Sequence, residues 1–292
     1  MDFAIGIPAF NEEKNIASII LKLKKESDTI IVCDDGSSDL TAEIAEKLGA
    51  IVVKHEKNQG YGSAIKTIFL QAVKMNVDAL VTFDADGQHR IQDIANVIEP
   101  IKNNKADIVI GSRFLENSDE IPKYRKIGIK AITGITNVTS GLKISDSQSG
   151  FRAYNKKILH QISLTEKGMG ISTEILIKAQ KLNCKIIEVP IKILYDGNTS
   201  THNPVSHGTS VIFSTLKYVA IERPLIFYGI PGTIFLCIGL FFSIWAIQIF
   251  AEQRDLITNI ALIGGIGIIL GTILIITATI LHSIISVVRE NR

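Results

Sequence analysis

Residues 79–89 read Ala79-Leu80-Val81-Thr82-Phe83-Asp84-Ala85-Asp86-Gly87-Gln88-His89, an apolar run that breaks into two acids around one small residue and then a polar turn. The first five residues show no polar alternation, which is the pattern of a strand buried on both faces. Alternate residues of an extended chain face the same way, so Asp84 and Asp86 are expected to point together. Two adjacent carboxylates in a cleft repel each other unless a cation lies between them. A hard divalent ion with oxygen ligands, Mg2+ or Mn2+, suits such a pair, and it completes its shell with phosphate oxygens and water. A diphosphate-bearing substrate is the corresponding expectation.

The flanking chain alternates between strand and helix periods. Strands are predicted at Phe3 to Ile7, Thr29 to Cys33, Ile51 to Lys54, Ala79 to Phe83 and Ile108 to Ile110. Helices are predicted at about residues 12–25, 41–48, 61–75 and 91–103. Four such β-then-α repeats imply right-handed crossovers and an α/β fold built on a mainly parallel sheet. Polar clusters follow each strand: Pro8 to Glu12, Asp34 to Asp39, Asn58 to Gly62, Asp84 to His89, and Gly111 to Arg113. Ligands of parallel sheets bind at the carboxyl ends of the strands, so the five clusters read as one site.

Several chemistries are excluded. The Gly-x-Gly at Gly60-Tyr61-Gly62 follows the third strand, and Ile65 stands where a dinucleotide-binding motif needs its last glycine. The same Ile65 precedes Lys66-Thr67 and breaks a P-loop. No Gly-x-Ser-x-Gly nucleophile elbow is present. A net charge of +2 without a basic run gives no nucleic-acid footprint. Three cysteines without a Cys-x-x-Cys pair argue against a disulfide framework or a cysteine-based zinc site.

Charge is distributed very unevenly. From Pro224 onward only Glu252, Arg254, Asp255, Arg289, Glu290 and Arg292 are charged, six of the chain's sixty charged residues. Pro224 to Ala251 and Leu256 to Val288 are uninterrupted by charge. Each exceeds the roughly 20 residues that cross a bilayer, and helices of soluble cores seldom run so long. A transmembrane hairpin is therefore expected over 224–292, preceded by a juxtamembrane amphipathic segment at 209–223 and a catalytic domain at 1–208. Phe227 and Tyr228 suit an interface, and Gly264, Gly265, Gly267 and Gly271 suit close helix contact. Lys217, Arg223, Arg289 and Arg292 flank the outer ends, which predicts a multi-pass protein of the cell membrane with both termini cytosolic. No signal-peptide pattern opens the chain, in keeping with a cytosolic catalytic domain.

Taken in order, Pro8-Ala9-Phe10-Asn11-Glu12, Asp34-Asp35-Gly36-Ser37-Ser38-Asp39, Asn58-Gln59-Gly60, Asp84-Ala85-Asp86-Gly87-Gln88-His89, Gly111-Ser112-Arg113 and Ser149-Gly150-Phe151-Arg152 resemble glycosyltransferase family 2. Within it the chain is similar to the dolichyl-phosphate mannose and glucose synthases, with Asn203 to Gly208 and Glu222 to Leu225 similar to archaeal members. The resemblance implies a GT-A fold and inverting transfer of a hexose from a nucleotide sugar, GDP-mannose or UDP-glucose, to a polyprenyl phosphate. It places Pro8, Phe10 and Glu12 beside base and ribose, Asp35 on the nucleoside, and Gly60 and Ala85 along the nucleotide sugar. It places Asp84, Asp86 and Gln88 around the metal, and Arg113, Arg125 and Arg152 toward phosphate groups. Asp146 and Glu174 are candidate acids for orienting sugar hydroxyls. Many relatives carry Gly-x-Ser-Lys after a Val-Pro strand, whereas this chain reads Gly197-Asn198-Thr199-Ser200-Thr201-His202. His202 or His207 is then the candidate substitute for that lysine.

Three other readings remain at this level, one of them transfer to a lipid diphosphate or to a protein. A membrane-bound polysaccharide synthase would carry Gln-x-x-Arg-Trp, but here Gln148 is separated from Arg152 by three residues and the sole tryptophan is Trp245. A catalytically inactive scaffold would keep the fold without the chemistry. The sequence leaves open whether the chain forms a homo-oligomer.

Overall fold

The computed structural model describes residues 1–116, 121–193, 216–217, 219–221, 223–254 and 257–290. The chain divides into two compact units, Met1–Thr215 and Leu216–Arg292. His202, His207, the Gly197 to Thr201 stretch, Asp255 and most of the 209–223 segment lie outside the described residues.

The first unit is a seven-stranded sheet. Its strands are β1 (Phe3–Ala9), β2 (Thr29–Asp34), β3 (Ile51–Lys54), β4 (Ala79–Thr82), β5 (Ile108–Ser112), β6 (Arg152–Asn155) and β7 (Ile186–Pro190). They lie in the order β3-β2-β1-β4-β6-β5-β7, and β6 alone runs antiparallel to its neighbours. Helices α1 (Ile16–Leu23), α2 (Thr41–Lys47), α3 (Tyr61–Lys74) and α4 (Asp93–Lys102) follow the first four strands. Then come α5 (Lys123–Ser140), α6 (Lys156–Gln161) and α7 (Ile171–Lys181).

β1 is buried along its whole length. Its odd residues Phe3, Ile5, Ile7 and Ala9 join Ile16, Ile20 and Leu23 of α1 and Val97, Ile98 and Ile101 of α4 in one apolar layer. On the other face Ala4, Leu80 and Ile108 pack against Ile65, Ile68 and Phe69 of α3 and Ile175 and Leu176 of α7. Each buried Ile or Leu contributes about 1.5–3 kcal/mol, so the sheet's central strands are the rigid part of the unit.

The predicted strands are all present, β3 with its predicted bounds and the others with shifted ends. β1 continues past Ile7 because Pro8 and Ala9 still pair with Cys33 and Asp34 of β2. β4 ends at Thr82, one residue before Phe83, and β5 runs on to Ser112. α1 begins at Ile16 because Glu12 closes a turn, its carbonyl accepting from Asn15 N and Ile16 N. The strand periodicity did not indicate α5, β6 or α6, and β6 inserts between β4 and β5 as the antiparallel member.

The second unit holds a short π-helical turn at Leu225–Gly229, then α8 (Ile230–Gln253) and α9 (Thr258–Glu290). Leu225–Gln253 and Thr258–Val288 are long and apolar enough to cross a membrane, and their apolar side chains are largely exposed. The two helices meet on small residues. A Cβ at Gly239 would overlap Ile268 N, and one at Gly264 would overlap Ser243 Oγ. Gly267 and Gly271 are equally close to the facing backbone, whereas Gly265 faces open space, so three of the four expected glycines form the contact. Gly239→Leu should therefore force α8 and α9 apart. The expected result is a thermal midpoint several degrees lower, followed by fluorescence of Trp245, the sole tryptophan, which lies on α8. An unchanged midpoint would contradict close packing at this position.

Candidate active site

The carboxyl ends of β1, β2 and β4 bring the predicted clusters to one edge of the sheet. Two loops there are joined by side chains. Asn11 N donates to Ser37 Oγ at 2.9 Å, Ser38 N to Asn11 Oδ1 at 2.9 Å, and Glu12 N to Thr41 Oγ1 at 2.8 Å. Glu12 Oε2 accepts from Asn15 Nδ2 at 2.8 Å. Phe10 is half-buried beside this junction, and Pro8 belongs to β1 itself.

Asp35 does less outward-facing work than expected. It is 4% exposed, and its carboxylate accepts from Gln59 N at 2.9 Å and Gly60 N at 2.8 Å, with His55 Nδ1 2.6 Å away. A carboxylate can only accept, so Nδ1 carries the proton. Asp35 thereby fixes the turn that launches α3. In that turn Gly60 has φ +99°, a conformation costly for any residue with a Cβ, and its Cα lies against the Lys167 carbonyl. The local reason for glycine here is the crossing of the 166–168 loop. The neighbouring acid Asp34 accepts from Ser37 N at 3.2 Å through Oδ1, while its buried Oδ2 has no hydrogen-bond partner.

Cys33, His55 and Asp35 form a row suggestive of a nucleophile and its base, with Cys33 Sγ 3.6 Å from His55 Nε2. It cannot act so. Cys33 is fully buried, and burial together with the charge of Asp35 pushes its thiol up to about 12. His55 Nε2 also faces Thr67 Oγ1 at 2.9 Å.

Asp84 and Asp86 stand just beyond β4. Asp84 Oδ1 accepts from the Tyr61 hydroxyl at 3.1 Å, and Oδ2 lies 3.3 Å from His89 Nε2. Burial alone would raise its carboxyl, but His89, Tyr61 and Arg113 together hold it below the ordinary value. Asp86 behaves oppositely. Burial and then the charge of Asp84 push its carboxyl up, against opposing pulls from His89, the Gln88 backbone and Arg125. Its Oδ1 accepts from Gln88 N at 3.0 Å across the turn at Gly87. The two carboxylates thus repel each other, as the sequence reading anticipated, and a cation would relieve that repulsion. Among the described residues no three His, Cys, Asp or Glu side chains converge into an all-protein metal cage. The donor set fits an Mg2+-like ion that takes one or two carboxylates and draws its remaining ligands from phosphate and water.

The expected arginines occupy different positions. Arg113 forms a fork with Asp146, Nε to Oδ2 at 2.6 Å and Nη2 to Oδ1 at 2.7 Å. Asp146 is wholly buried, and although burial opposes it, Arg113 holds its carboxyl below the usual range. Glu188 of β7 positions this partner in turn, accepting from Ser145 N at 2.8 Å and Asp146 N at 3.0 Å. Asp146 is therefore a support for Arg113 rather than an acid facing a sugar. Arg125, in the first turn of α5, bears electrostatically on Asp86.

Arg152 corrects the expectation most clearly. It is 1% exposed and donates to the carbonyls of Ser149 at 2.8 Å, Ser172 at 3.1 Å and Ser147 at 2.7 Å. Its guanidinium is engaged inside the fold rather than exposed. Glu174 is likewise buried, accepting from Thr165 N at 2.9 Å, Glu166 N at 2.8 Å and Lys178 Nζ at 2.6 Å, so it organises the loop over Gly60.

Asp146→Ala should destabilise the first unit by about 3–5 kcal/mol, because it removes the buried acceptor of the Arg113 fork. Asp146→Asn gives the pH signature. The folded carboxyl lies below its unfolded value of about 3.9, so its contribution is present above that value and is lost as pH falls through the lower folded one. The stability gap between wild type and Asp146→Asn should shrink on acidification from pH 5 toward 2; a constant gap would refute the pairing.

Comparison with known proteins identifies the family. The chain is 38% identical over 229 residues, 70% of its length and 89% of the relative's, to the UDP-N-acetylglucosamine–dolichyl-phosphate N-acetylglucosaminyltransferase of Methanococcus voltae. It is 31% identical over 224 residues, 76% of its length and 96% of the relative's, to the dolichyl-phosphate hexose transferase of Haloferax volcanii. Among solved structures it resembles glucosyl-3-phosphoglycerate synthase from Mycobacterium tuberculosis in complex with Mn2+, UDP and phosphoglyceric acid, with a TM-score of 0.58 at 20% identity. That likeness covers 74% of this chain and 78% of the other, and it shows a shared GT-A fold. The sequence profile of glycosyl transferase family 2 matches residues 4–163, more than half of the chain. The acids beyond β4 and the arginines around them therefore belong to a glycosyltransferase, and this chain is a member of glycosyl transferase family 2.

Proposed function

We propose that this enzyme transfers a hexose, with inversion, from a nucleotide sugar to a polyprenyl phosphate at the cytosolic face of the membrane. The observation that carries the reading is the mutually repelling pair Asp84 and Asp86 at the end of β4, with Arg113 and Arg125 bearing on it. Such a site suits the meeting of two phosphate-bearing substrates. The dolichyl-phosphate transferases related to this chain support the acceptor class.

A divalent cation held by Asp84, Asp86 and Gln88 would supply electrostatic stabilisation to the departing nucleoside diphosphate. The chain's own groups do the rest. Phe10 and Glu12, on the loop that follows β1, frame the nucleoside end of the cleft, while Pro8, Asp35, Gly60 and Ala85 support it from within the fold. The attacking oxygen is a phosphate monoester whose second pKa is near ~6, so at pH 7 it is largely deprotonated and needs no strong base. It needs cations that aim it. Arg113, its fork already oriented by Asp146, and Arg125 supply them. α8 and α9 tether the chain to the membrane in which the acceptor is itself confined, which raises its effective concentration. The basic residues outside the hairpin favour cytosolic termini.

The test is to incubate membranes containing the protein with a polyprenyl phosphate and, separately, labelled GDP-mannose, UDP-glucose or UDP-N-acetylglucosamine. Label entering the organic phase from one donor identifies the donor and confirms the acceptor class. No label from any of the three contradicts the proposal. Asp86→Ala should lower turnover at least 100-fold while leaving the thermal midpoint within a degree or two. Full activity in that variant would remove the acid pair from the mechanism.

A further inference from the structure

The Asp84 carboxylate is gripped from both sides. Tyr61 Oη reaches Oδ1 at 3.1 Å and His89 Nε2 faces Oδ2 at 3.3 Å, so rotation of the carboxylate would break both contacts. Gly150 closes a third side. A Cβ there would sit 2.7 and 3.0 Å from the two carboxylate oxygens and 2.6 Å from the Tyr61 hydroxyl.

Both donors are fixed by the fold. Tyr61 is the first residue of α3, set by the turn that Asp35 ties down. His89 is buried, with ring centroids 5.6 Å from Phe83 and 5.1 Å from Phe151, and its backbone bridges to Ile193. Its Nδ1 is buried without a hydrogen-bond partner. A half-satisfied buried imidazole is unfavourable, and the polar contact its ring does make is to Asp84. Nothing in the packing requires a hydroxyl on Tyr61 either, because a phenyl ring would fill the same space.

We infer that Tyr61 and His89 are positioning residues that clamp the Asp84 carboxylate in the orientation that receives the cation, an inference that rests on the divalent-ion reading above. Groups that hydrogen-bond a metal-ligating side chain set its orientation, and losing one typically costs 10–100-fold in metal affinity.

Tyr61→Phe deletes one oxygen and keeps the ring. In the full chain, titrated with Mn2+ alone and followed by the electron paramagnetic resonance of the free ion, it should bind roughly 10-fold more weakly than wild type. His89→Phe should lose at least as much, and His89→Gln, whose amide can donate, should recover part of it. Equal affinity of Tyr61→Phe and wild type overturns the clamp. Should wild type itself take up no Mn2+, the divalent-ion reading fails, and a metal-free measurement decides the clamp separately. Tyr61→Phe should then lower the thermal midpoint in the wild-type background but not in Asp84→Ala, where the acceptor is gone. Equal shifts in both backgrounds overturn it.

Discussion

A single buried guanidinium organises the catalytic edge. Arg152 lies inside the sheet with three backbone carbonyls around it, those of Ser147, Ser149 and Ser172. Burying such a charge is unfavourable unless its donors are met, and here carbonyls rather than an acid meet them. The consequence reaches both halves of the site. Pinning Ser147 and Ser149 fixes the segment between Asp146, which orients Arg113, and Gly150, which lies against Asp84. The link to Ser172 ties the same segment to the first turn of α7. One strand, β6, thereby positions Arg113 and Asp84 relative to each other.

That role could not be read from the sequence. Ser149-Gly150-Phe151-Arg152 was recognisable as a motif, and an arginine in a motif suggests an anion. Whether its donors are already used inside the fold is a long-range matter, decided by carbonyls of residues up to twenty positions away. Asp35 and Glu174 misled for the same reason, since their acceptor capacity is taken by backbone N–H groups of neighbouring loops. By contrast β1 to β5 were legible because strands of a parallel sheet covered on both faces are continuous apolar runs. β6 failed that test because Arg-Ala-Tyr-Asn looks like a polar turn, and its arginine is buried only by virtue of the carbonyls around it. α5 carries Gly128 and Gly134, and its buried side includes Thr133, Thr136 and Thr139, so its apolar period is faint.

The acid pair itself was legible in identity but not in asymmetry. Period-two geometry presupposed an extended chain, whereas β4 ends at Thr82 and Asp86 lies in the turn beyond it; the two acids still bear on each other electrostatically. What the spacing could not say is that they play unequal parts. Asp84 is held charged by Tyr61 and His89, whereas Asp86 keeps one internal bond through Oδ1 and carries the electrostatic load of its neighbour. Tyr61 sits in a stretch that attracts attention for its glycines, and His89 at the end of a motif read for its acids.

This asymmetry bears on how a site with so much charge stays folded before any ligand arrives. Two carboxylates left to themselves would swing apart into solvent, and the ion would then have to gather them at an entropic cost. Fixing one of them with neutral or hydrogen-bonded partners confines the adjustment to the other. The cost of holding Asp84 falls on elements that are rigid for independent reasons: the start of α3, the aromatic contacts around Phe83 and Phe151, and the strand that Arg152 anchors. On the proposed reading, a binding step that must orient one acid rather than two loses less freedom, which is what preorganisation contributes.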